Sequence, residues 1–354
     1  MKNKILIVLM TTIILMTSGC GNDNYLKNDK KEIITYKETG QQLRKDILCK
    51  PDGNEEIYKL YKENEKQLTH DLDDLPSCEN FKMNSNETNS LWELIFVKPT
   101  AFAITSIGKL VGNLGTAVIL VGILIRILLL PLQIKTSKQS SNMKKAGPEL
   151  KRLEQKYANR TDSASQMMKS QEMMAIYKKY DINLLTGCLP ALIQLPVFFA
   201  FLSAIYRLPS IYNESLLGFN LGMTPLTAIG KGEYQYIILM ILIALSTFFS
   251  FKHTMNQNPA MNEGAAKQSK TMLRFMTVFI LFSSLMFPTA LNFYWIATYA
   301  FIAIQTEIIS YILGDKKFTF KLKKEELKKE STKKIKDRID KKEGKKYGKD
   351  NNWR

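Results

Sequence analysis

Arg126 is the residue whose surroundings in the sequence point most directly to chemistry. It lies in the run Gly122-Ile-Leu-Ile-Arg126-Ile-Leu-Leu-Leu-Pro131, with apolar residues on both sides. A cation near the middle of a membrane helix costs about 2.5–3.5 kcal/mol on insertion scales, so it rarely faces lipid. We therefore expect Arg126 to face a water-filled cavity, in which it attracts carboxylates and other anions. The alternative is a structural arginine that only extends along its helix to the membrane surface.

Two glutamines are candidates for the same cavity. Gln133 follows Arg126 by seven residues, which places both on one face if the helix is continuous. Gln194 stands between Pro190 and Pro196 in the second apolar run. Prolines free backbone carbonyls, which a cavity tolerates better than lipid does. A plain hydrogen bond between two helices is the alternative role for Gln194.

A semi-polar stripe runs along the last apolar segment of the chain. Its members are spaced by three and four residues, as on one face of a helix. Such a stripe suits the wall of a groove that meets both apolar and polar groups. Ordinary helix packing, with an aromatic belt at the outer interface, is the alternative. The stripe consists of Trp295, Thr298, Tyr299, Ile302 and Gln305.

Five apolar runs supply the elements that must position these residues. Each approaches or exceeds the roughly 17–25 residues that a helix needs to cross about 30 Å of hydrocarbon. Pro288 joins the last two runs in a tight hairpin. The sequence therefore predicts an all-α, polytopic membrane protein with five transmembrane helices. The runs are 114–132, 186–206, 234–251, 272–288 and 291–313.

The distribution of charge predicts the orientation of the chain in the membrane. The formal net charge of +17 suits either nucleic acid or an anionic membrane surface, and the apolar runs favour the membrane over DNA. The loop 135–181 has 11 basic and 5 acidic residues, and the tail 314–354 has 17 and 8, whereas the loop 208–233 has a net charge of −1. Positively charged loops stay in the cytoplasm. We therefore expect the mature N-terminus outside and the C-terminus in the cytoplasm.

The first twenty residues resemble a lipoprotein signal peptide. Two lysines precede a short apolar core, and Thr17-Ser18-Gly19-Cys20 follows it. The core is too short to span a bilayer comfortably. We expect Cys20 to be lipidated and to become the mature N-terminus. An uncleaved anchor and an ordinary signal peptide are the alternatives.

The other cysteines and the histidines limit the covalent and metal chemistry. Cys49 and Cys78 lie in the segment that should be exported, where a disulfide is permitted, and we predict that they form one. The chain has two histidines and no Cys-x-x-Cys pair. We therefore expect neither a metal site nor another cofactor.

The remaining segments have distinct compositions. Residues 21–90 are predicted to be a small helical or partly disordered outer segment. Residues 91–113 are predicted to be an amphipathic helix in the membrane interface, with the extended start of the first span as the alternative. Residues 135–185 should form a cytoplasmic helical hairpin, with Pro148 at the first position of a helix. The basic tail 314–354 suits ribosomal RNA or anionic lipid headgroups, which compete for the same charge.

Three groups of residues resemble the YidC/Oxa/Alb family, in particular its Gram-positive lipoprotein type. Their order and spacing cover residues 91–313, and they are specific as a set, although each alone would be weak. The groups are Ile125-Arg126 with Leu130-Pro131-Leu132, Gly187-Cys188-Leu189-Pro190 with Ile193-Gln194-Leu195-Pro196, and Asn292-Phe293-Tyr294-Trp295 with Gln305.

The resemblance implies a membrane protein insertase rather than an enzyme. In that family a hydrophilic groove, open to the cytoplasm and to lipid, holds the arginine, so residues 114–313 would be a five-span core around such a groove. Arg126 would receive the polar outer tail of a nascent membrane protein while the apolar segment slides into lipid. The ribosome, the Sec translocon and membrane lipids are the further partners considered. Ser250 stands where the family often has a glutamine, which would weaken part of the polar groove.

Other functions fit the sequence less well. A secondary transporter of a small anionic solute would favour inverted repeats and paired ionisable residues at the membrane midplane. An intramembrane enzyme would need a Ser/His/Asp set, a His-Glu-x-x-His motif or paired carboxylates within the spans. A passive lipoprotein scaffold would leave the cost of burying Arg126 unexplained.

Overall fold

A computed structural model of the chain describes residues 24–51, 55–85, 90–256 and 263–313. The chain divides into two compact units, Met1–Ile304 and Gln305–Arg354, and each is described by itself. The predicted signal peptide with Cys20 and the basic tail 314–354 lie outside the described residues, so the predictions about them stay predictions.

The outer segment folds around a core of its own. Strand β1 (Thr35–Tyr36) pairs antiparallel with β2 (Gln41–Gln42), and Gly40 adopts a φ of +72° in the turn between them. Helix α1 (Glu55–Glu63) follows. The segment is more ordered than the sequence predicts, because outside α1 its apolar residues are scattered over short strands and turns without a helical period. The core consists of Leu26, Tyr36, Leu43, Ile47, Ile57, Tyr61, Leu72, Leu75 and Tyr212.

A disulfide connects two parts of this segment. The sulfur atoms of Cys49 and Cys78 are bonded across a sequence separation of 29 residues. Both cysteines are buried, and they belong to the hydrophobic cluster that also contains Val97 and Ala101. The disulfide therefore lies where the outer segment meets the helices that follow it.

A helical pair begins the core. A π-helical turn (Glu93–Val97) leads into α2 (Lys98–Val111), which ends at Gly112 with a φ of +74°. Helix α3 (Leu114–Leu128) begins immediately afterwards, where the side chain of Asn113 accepts a hydrogen bond from the backbone N–H of Thr116. A left-handed glycine followed by an asparagine cap ends one helix and starts the next within three residues, so α2 and α3 pack against each other.

A long bent helix follows. Helix α4 (Leu130–Lys156) is bent by 57° from α3, and Pro131 lies in its first turn, where no backbone N–H is needed. Helix α5 (Ser163–Lys179) packs against α4. The expectation that Pro148 starts a helix is wrong, since Pro148 lies inside α4. A proline inside a helix removes one hydrogen bond, and here the helix continues on both sides of it.

Side-chain hydrogen bonds join α4 to α5. The carboxylate of Glu172 accepts from the Nζ of Lys156 at 2.6 Å and from the hydroxyl of Tyr157 at 2.8 Å. Glu149 of α4 accepts in the same way from Lys179, the last residue of α5, and from Tyr180, which follows it. Hydrogen bonds from the lysines lower the pKa of both glutamates. Exposed pairs of this kind add little stability, so the predicted hairpin depends on its buried apolar residues.

The next elements form the middle of the core. Helix α6 (Leu184–Tyr206) carries Gln194 at its centre. Strands β3 (Ser215–Leu216) and β4 (Phe219–Asn220) form a small antiparallel hairpin. The short helix α7 (Pro225–Gly230) and the apolar helix α8 (Tyr236–Asn256) follow.

The last two described helices have the short connection that the sequence predicts. Helix α9 (Glu263–Met286) and helix α10 (Thr289–Ile312) are separated by two residues, of which the second is Pro288. The Nδ2 of Asn292 donates to the backbone carbonyl of Ser284 at 3.1 Å and ties the start of α10 to the end of α9.

Several helices are apolar enough for a membrane. By length and composition, Glu93–Val111 and Thr289–Ile312 are able to cross a bilayer among the described residues, and the bent α3–α4 pair would be a third. The chain is therefore mostly helical with several apolar helices, as the sequence predicts, apart from its two small strand pairs. The number of five spans and the interfacial position of 91–113 remain predictions. The shorter apolar helices are Ile193–Tyr206, Tyr236–Lys252 and Thr277–Met286.

Candidate functional site

The structure brings Arg126 and Gln194 together. Arg126 lies in the last turn of α3 with only 7% of its surface exposed. Its guanidinium donates a hydrogen bond from Nη2 to the side-chain oxygen of Gln194 on α6. The sequence singled out each residue separately, and the fold places them in contact although 68 positions separate them.

A tyrosine extends this contact to a third helix. The side-chain nitrogen of Gln194 donates to the hydroxyl of Tyr294 at 3.2 Å. Tyr294 is buried on α10, and its ring stacks on Phe201 of α6 with 4.2 Å between the ring centroids. Arg126, Gln194 and Tyr294 therefore form one hydrogen-bonded chain across α3, α6 and α10.

Sequence reasoning missed the role of Tyr294. It used this tyrosine only as part of the resemblance run Asn292-Phe293-Tyr294-Trp295 and, in the alternative to the groove, as part of an aromatic belt at the outer interface. The available signal was the spacing of four residues between Tyr294 and Thr298, which places the tyrosine on the same helix face as the semi-polar stripe.

Gly122 allows α10 to approach α3 closely. A Cβ atom added at Gly122 would lie 2.9 Å from the ring atom Cδ2 of Tyr294 and 3.2 Å from Cγ2 of Thr298. Both distances are shorter than ordinary van der Waals contact. Gly122 precedes Arg126 by one helical turn, so this close approach lies beside the arginine on the same face of α3.

Three residues of the predicted stripe lie around this chain of hydrogen bonds. The ring of Trp295 stacks on Phe198 of α6 with a centroid distance of 5.7 Å and an interplanar angle of 4°. Thr298 is buried and donates to the backbone carbonyl of Tyr294 at 2.7 Å. The ring of Tyr299 meets the ring of Phe251 edge-on. These contacts combine an apolar aromatic wall with a small polar centre.

The other predicted site residues are not members of the hydrogen-bonded chain of Arg126, Gln194 and Tyr294. Ser250 is buried on α8. Gln133 was placed on the face of Arg126 by assuming one continuous helix, and the bend at Leu129 removes that assumption. Gln305 continues the line of the stripe on α10 but belongs to the second compact unit, so it is not assigned to this site. Their roles in binding stay predictions.

The charge of Arg126 has no carboxylate against it among the described residues. The salt bridges in that part of the chain lie in the outer segment, at its junction with the core, and between α4 and α5. An arginine has five N–H donors in a planar fork, and the amide of Gln194 neutralises none of its charge. A buried cation that is held by an amide retains its attraction for an incoming anion.

A mostly helical chain with several apolar helices and a buried arginine among them defines the class as a helical membrane protein. Comparison with known proteins then gives the family. The family model of the 60Kd inner membrane protein matches residues 106–316. The chain belongs to this family, which confirms the resemblance to the YidC/Oxa proteins, while the lipoprotein type remains a prediction.

Curated relatives agree with this family. The membrane protein insertase YidC of Oceanobacillus iheyensis is 35% identical over 233 residues, which is 65% of this chain and 88% of that protein. The membrane protein insertase MisCA of Bacillus subtilis is 37% identical over 219 residues, which is 62% of this chain and 78% of that protein. A YidC insertase of Alkalihalophilus pseudofirmus is 37% identical over 223 residues, which is 62% of this chain and 82% of that protein.

Proposed function

We propose that this chain is a membrane protein insertase whose working site is built around Arg126. The observation that carries the proposal is a buried guanidinium whose described hydrogen-bond partner is the neutral amide of Gln194. The names of the curated relatives support the same function, since those proteins are called membrane protein insertases. We expect no catalytic bond-making step in this chain.

The site suits a substrate with a polar tail and an apolar segment. At an effective dielectric constant of about 20, two unit charges 4 Å apart attract by about 4 kcal/mol, compared with about 1 kcal/mol in water. A carboxylate in the outer tail of a nascent membrane protein would therefore be drawn towards Arg126. The half-buried ring of Phe198, which stacks on the buried Trp295, gives the site an apolar side, along which we expect the hydrophobic segment to move into lipid.

The distribution of charge supports an orientation for this process. We infer that the five-span core has its basic loop 135–181 and its tail in the cytoplasm, where nascent chains arrive, and its mature N-terminus outside. In this orientation α4 and α5 form a cytoplasmic hairpin. Lipidation of Cys20 would anchor the outer end of the chain. The ribosome and the Sec translocon are partners that this orientation permits.

A transporter of a small anionic solute is the rival function, because an arginine also binds such solutes. Paired ionisable residues at the membrane midplane would favour it. The described contact of Arg126 is instead with an amide, and it lies beside stacked aromatic rings that a small anion would not need.

Depletion of the protein followed by quantitative membrane proteomics separates the two functions. Insertion predicts that small single-span membrane proteins with acidic outer tails fall first, while the uptake of individual solutes is unchanged. Loss of one solute's uptake with an unchanged membrane proteome would support transport and contradict the proposal. A strain that expresses an undepleted copy is the matched control.

A further inference from the structure

The outer segment, residues 24–85, holds the end of a helix that carries part of the site. Helix α6 ends at Tyr206, and helix ends leave backbone carbonyls without partners inside the helix. The carbonyl of Arg207 accepts a hydrogen bond from the backbone N–H of Leu48 at 2.9 Å. The carbonyl of Tyr206 accepts from the hydroxyl of Tyr212 at 2.8 Å. The outer segment therefore supplies part of the cap of α6.

An ion pair strengthens the same junction. The Nε of Arg207 donates to Oδ2 of Asp46 at 2.7 Å, and its Nη1 lies 3.3 Å from Oε1 of Glu93 in the turn before α2. Asp46 also accepts two hydrogen bonds from the guanidinium of Arg44, at 2.7 and 2.8 Å. The side chains of Arg207 and Asp46 are only 12% and 15% exposed. Each charge in this cluster is thus matched by an opposite charge and shielded from water.

The contact surface around the ion pair is apolar and continuous. Tyr212, which follows α6, is fully buried in the core of the outer segment beside Tyr36 and Tyr61. Conversely, Leu48 and the disulfide of the outer segment belong to the main core cluster together with Phe201 of α6. Each of the two hydrophobic cores thus contains residues from the other part of the chain. The outer segment is therefore packed against the main core and is not merely tethered to it.

We propose that Asp46 is a positioning residue for insertion, and that the outer segment is a brace that fixes α6 and thereby Gln194 beside Arg126. This rests on the proposed function and deepens it. Gln194 precedes Arg207 by thirteen residues, which is roughly 20 Å along a helix. A helix that is held at its end by an ion pair and a backbone hydrogen bond cannot rotate or slide without breaking them. The brace lies before the part of the chain that the family model matches, which starts at residue 106.

A designed disulfide reports on docking without using activity. A Cβ atom added at Gly40 would lie 3.5 Å from the Cβ of Thr227 on α7, which is within the range of disulfides. The Nζ of Lys231 donates to the carbonyl of Glu38 at 2.6 Å in the same contact. Because Gly40 has a φ of +72°, a cysteine there is strained, but the strain is the same with and without Asp46→Asn and cancels in the comparison. The double variant Gly40→Cys/Thr227→Cys should therefore cross-link in membranes. Adding Asp46→Asn should lower the rate of cross-linking by at least about tenfold, the order expected when one partner of a buried ion pair is removed.

Insertion is then measured for variants of the Asp46–Arg207 ion pair. Asp46→Asn and Arg207→Gln should each reduce insertion, and the double variant should be no worse than the more severe single one, because the two residues act through each other. Asp74→Asn removes an exposed carboxylate from the same segment and should leave both readouts unchanged. The disulfide of Gly40→Cys/Thr227→Cys should restore insertion in the Asp46→Asn background. This rescue is expected even if Asp46→Asn alone accumulates poorly in the membrane.

The outcomes separate this proposal from the proposed function. If adding Asp46→Asn leaves the cross-linking rate of the Gly40→Cys/Thr227→Cys variant unchanged, and Asp46→Asn alone inserts like the unaltered chain while Arg126→Ala does not insert, the brace is wrong and the arginine site stands. If Asp46→Asn loses docking but keeps full insertion, the outer segment docks without positioning α6, which also contradicts the proposal. If Arg126→Ala inserts normally, the proposed function fails whatever Asp46 does.

Discussion

At the scale of single residues, the candidate site depends on a buried cation, Arg126, that a neutral amide holds. The apolar run around Arg126 marks it as buried, since few other residues carry so high a cost in a membrane. Gln194 was found through its flanking prolines, with a hydrogen bond to another helix as its alternative role. The structure assigns it such a bond, and the partner is Arg126. Tyr294 was missed, because its spacing from Thr298 shows only which helix face it shares, whereas the contact that gives it a role crosses to Gln194 on another helix.

Gly122 offers a test of how closely α3 and α10 must approach. We expect Gly122→Ala to destabilise the protein by about 1–3 kcal/mol, because the new Cβ would lie 2.9 Å from the ring of Tyr294 and one of them must move. Insertion should fall with it, since the ring carries the hydroxyl that binds Gln194. The matched control is Gly230→Ala, where an added Cβ meets nothing within 4 Å. Thermal unfolding in detergent is the measurement, and equal melting temperatures for both variants would contradict the packing described.

Asp46 gives a prediction for pH dependence. Burial alone would raise the pKa of its carboxyl, but hydrogen bonds from Arg44 and the charge of Arg207 lower it below the usual value. Between the lowered native pKa and the ordinary pKa of this carboxyl, the native state binds fewer protons than the unfolded state. The free energy of unfolding therefore rises with pH over that range. The contribution is fully present above the ordinary pKa of about 3.9 and is lost as the pH falls through the lower native value.

The measurement compares the unaltered chain with Asp46→Asn by thermal unfolding between pH 7 and pH 3. The difference in melting temperature should be largest near pH 7 and should shrink below about pH 4. The charged groups that face Asp46 are Arg44, Arg207 and, through Arg207, Glu93. A difference that stays constant over the whole range would show that the carboxylate's charge does not stabilise this junction.

At the scale of elements, periodicity and breaking residues predicted the helices better than their bends. The break at Pro288 follows directly from a proline between two apolar runs. The 57° bend between α3 and α4 was not predicted, because Pro131 is as compatible with the first turn of a new helix as with the end of an old one. Pro148 is ambiguous as well: it was expected to start a helix, but it lies inside one that continues on both sides.

The outer segment was the element most poorly predicted. Its short strands and turns have no helical or alternating period, and its core is completed by Tyr212 from a distant part of the chain. A contact over such a sequence distance cannot be read from local composition. The pairing of Cys49 with Cys78 was accessible, because an exported segment with two cysteines permits a single internal pairing.

The disulfide itself is testable. We expect mass spectrometry of non-reduced peptides from native membranes to show Cys49 linked to Cys78. Replacing both cysteines with serine should destabilise the outer segment by roughly 3–4 kcal/mol in the chain-entropy model, because the closed loop spans 29 residues. Proteolysis of the outer segment at increasing temperature measures this loss. Free thiols at both positions, or equal protease resistance of the serine variant, would contradict the expectation.

At the scale of the whole molecule, positive charge is concentrated at the C-terminal end of the chain. The tail 314–354 has 17 basic and 8 acidic residues and holds none of the proposed site residues. We expect it to assist docking of the ribosome while being dispensable for insertion itself. A polymer of such charge should bind a polyanion rapidly and weakly, with an affinity that falls steeply as salt rises.

Truncation after Gly314 tests the tail. Ribosome co-sedimentation should fall, most clearly at low salt, while a substrate added after its synthesis should still be inserted. Co-sedimentation that is unchanged by truncation would rule out ribosome docking and would favour anionic lipid as the partner of the tail. Loss of post-translational insertion would instead show that the tail belongs to the insertion machinery.

The central claim is that the charge of Arg126 draws the outer tail of a substrate into the site. The most direct measurement uses the purified protein in liposomes, with a single-span substrate that has an acidic outer tail and a matched substrate in which the acids are amides. Arg126→Ala should abolish insertion of the acidic substrate and affect the amide substrate much less. Arg126→Lys should retain much of the activity, because it keeps the charge and loses only the planar fork. Insertion of the acidic substrate by Arg126→Ala at the rate of the unaltered chain would contradict the account.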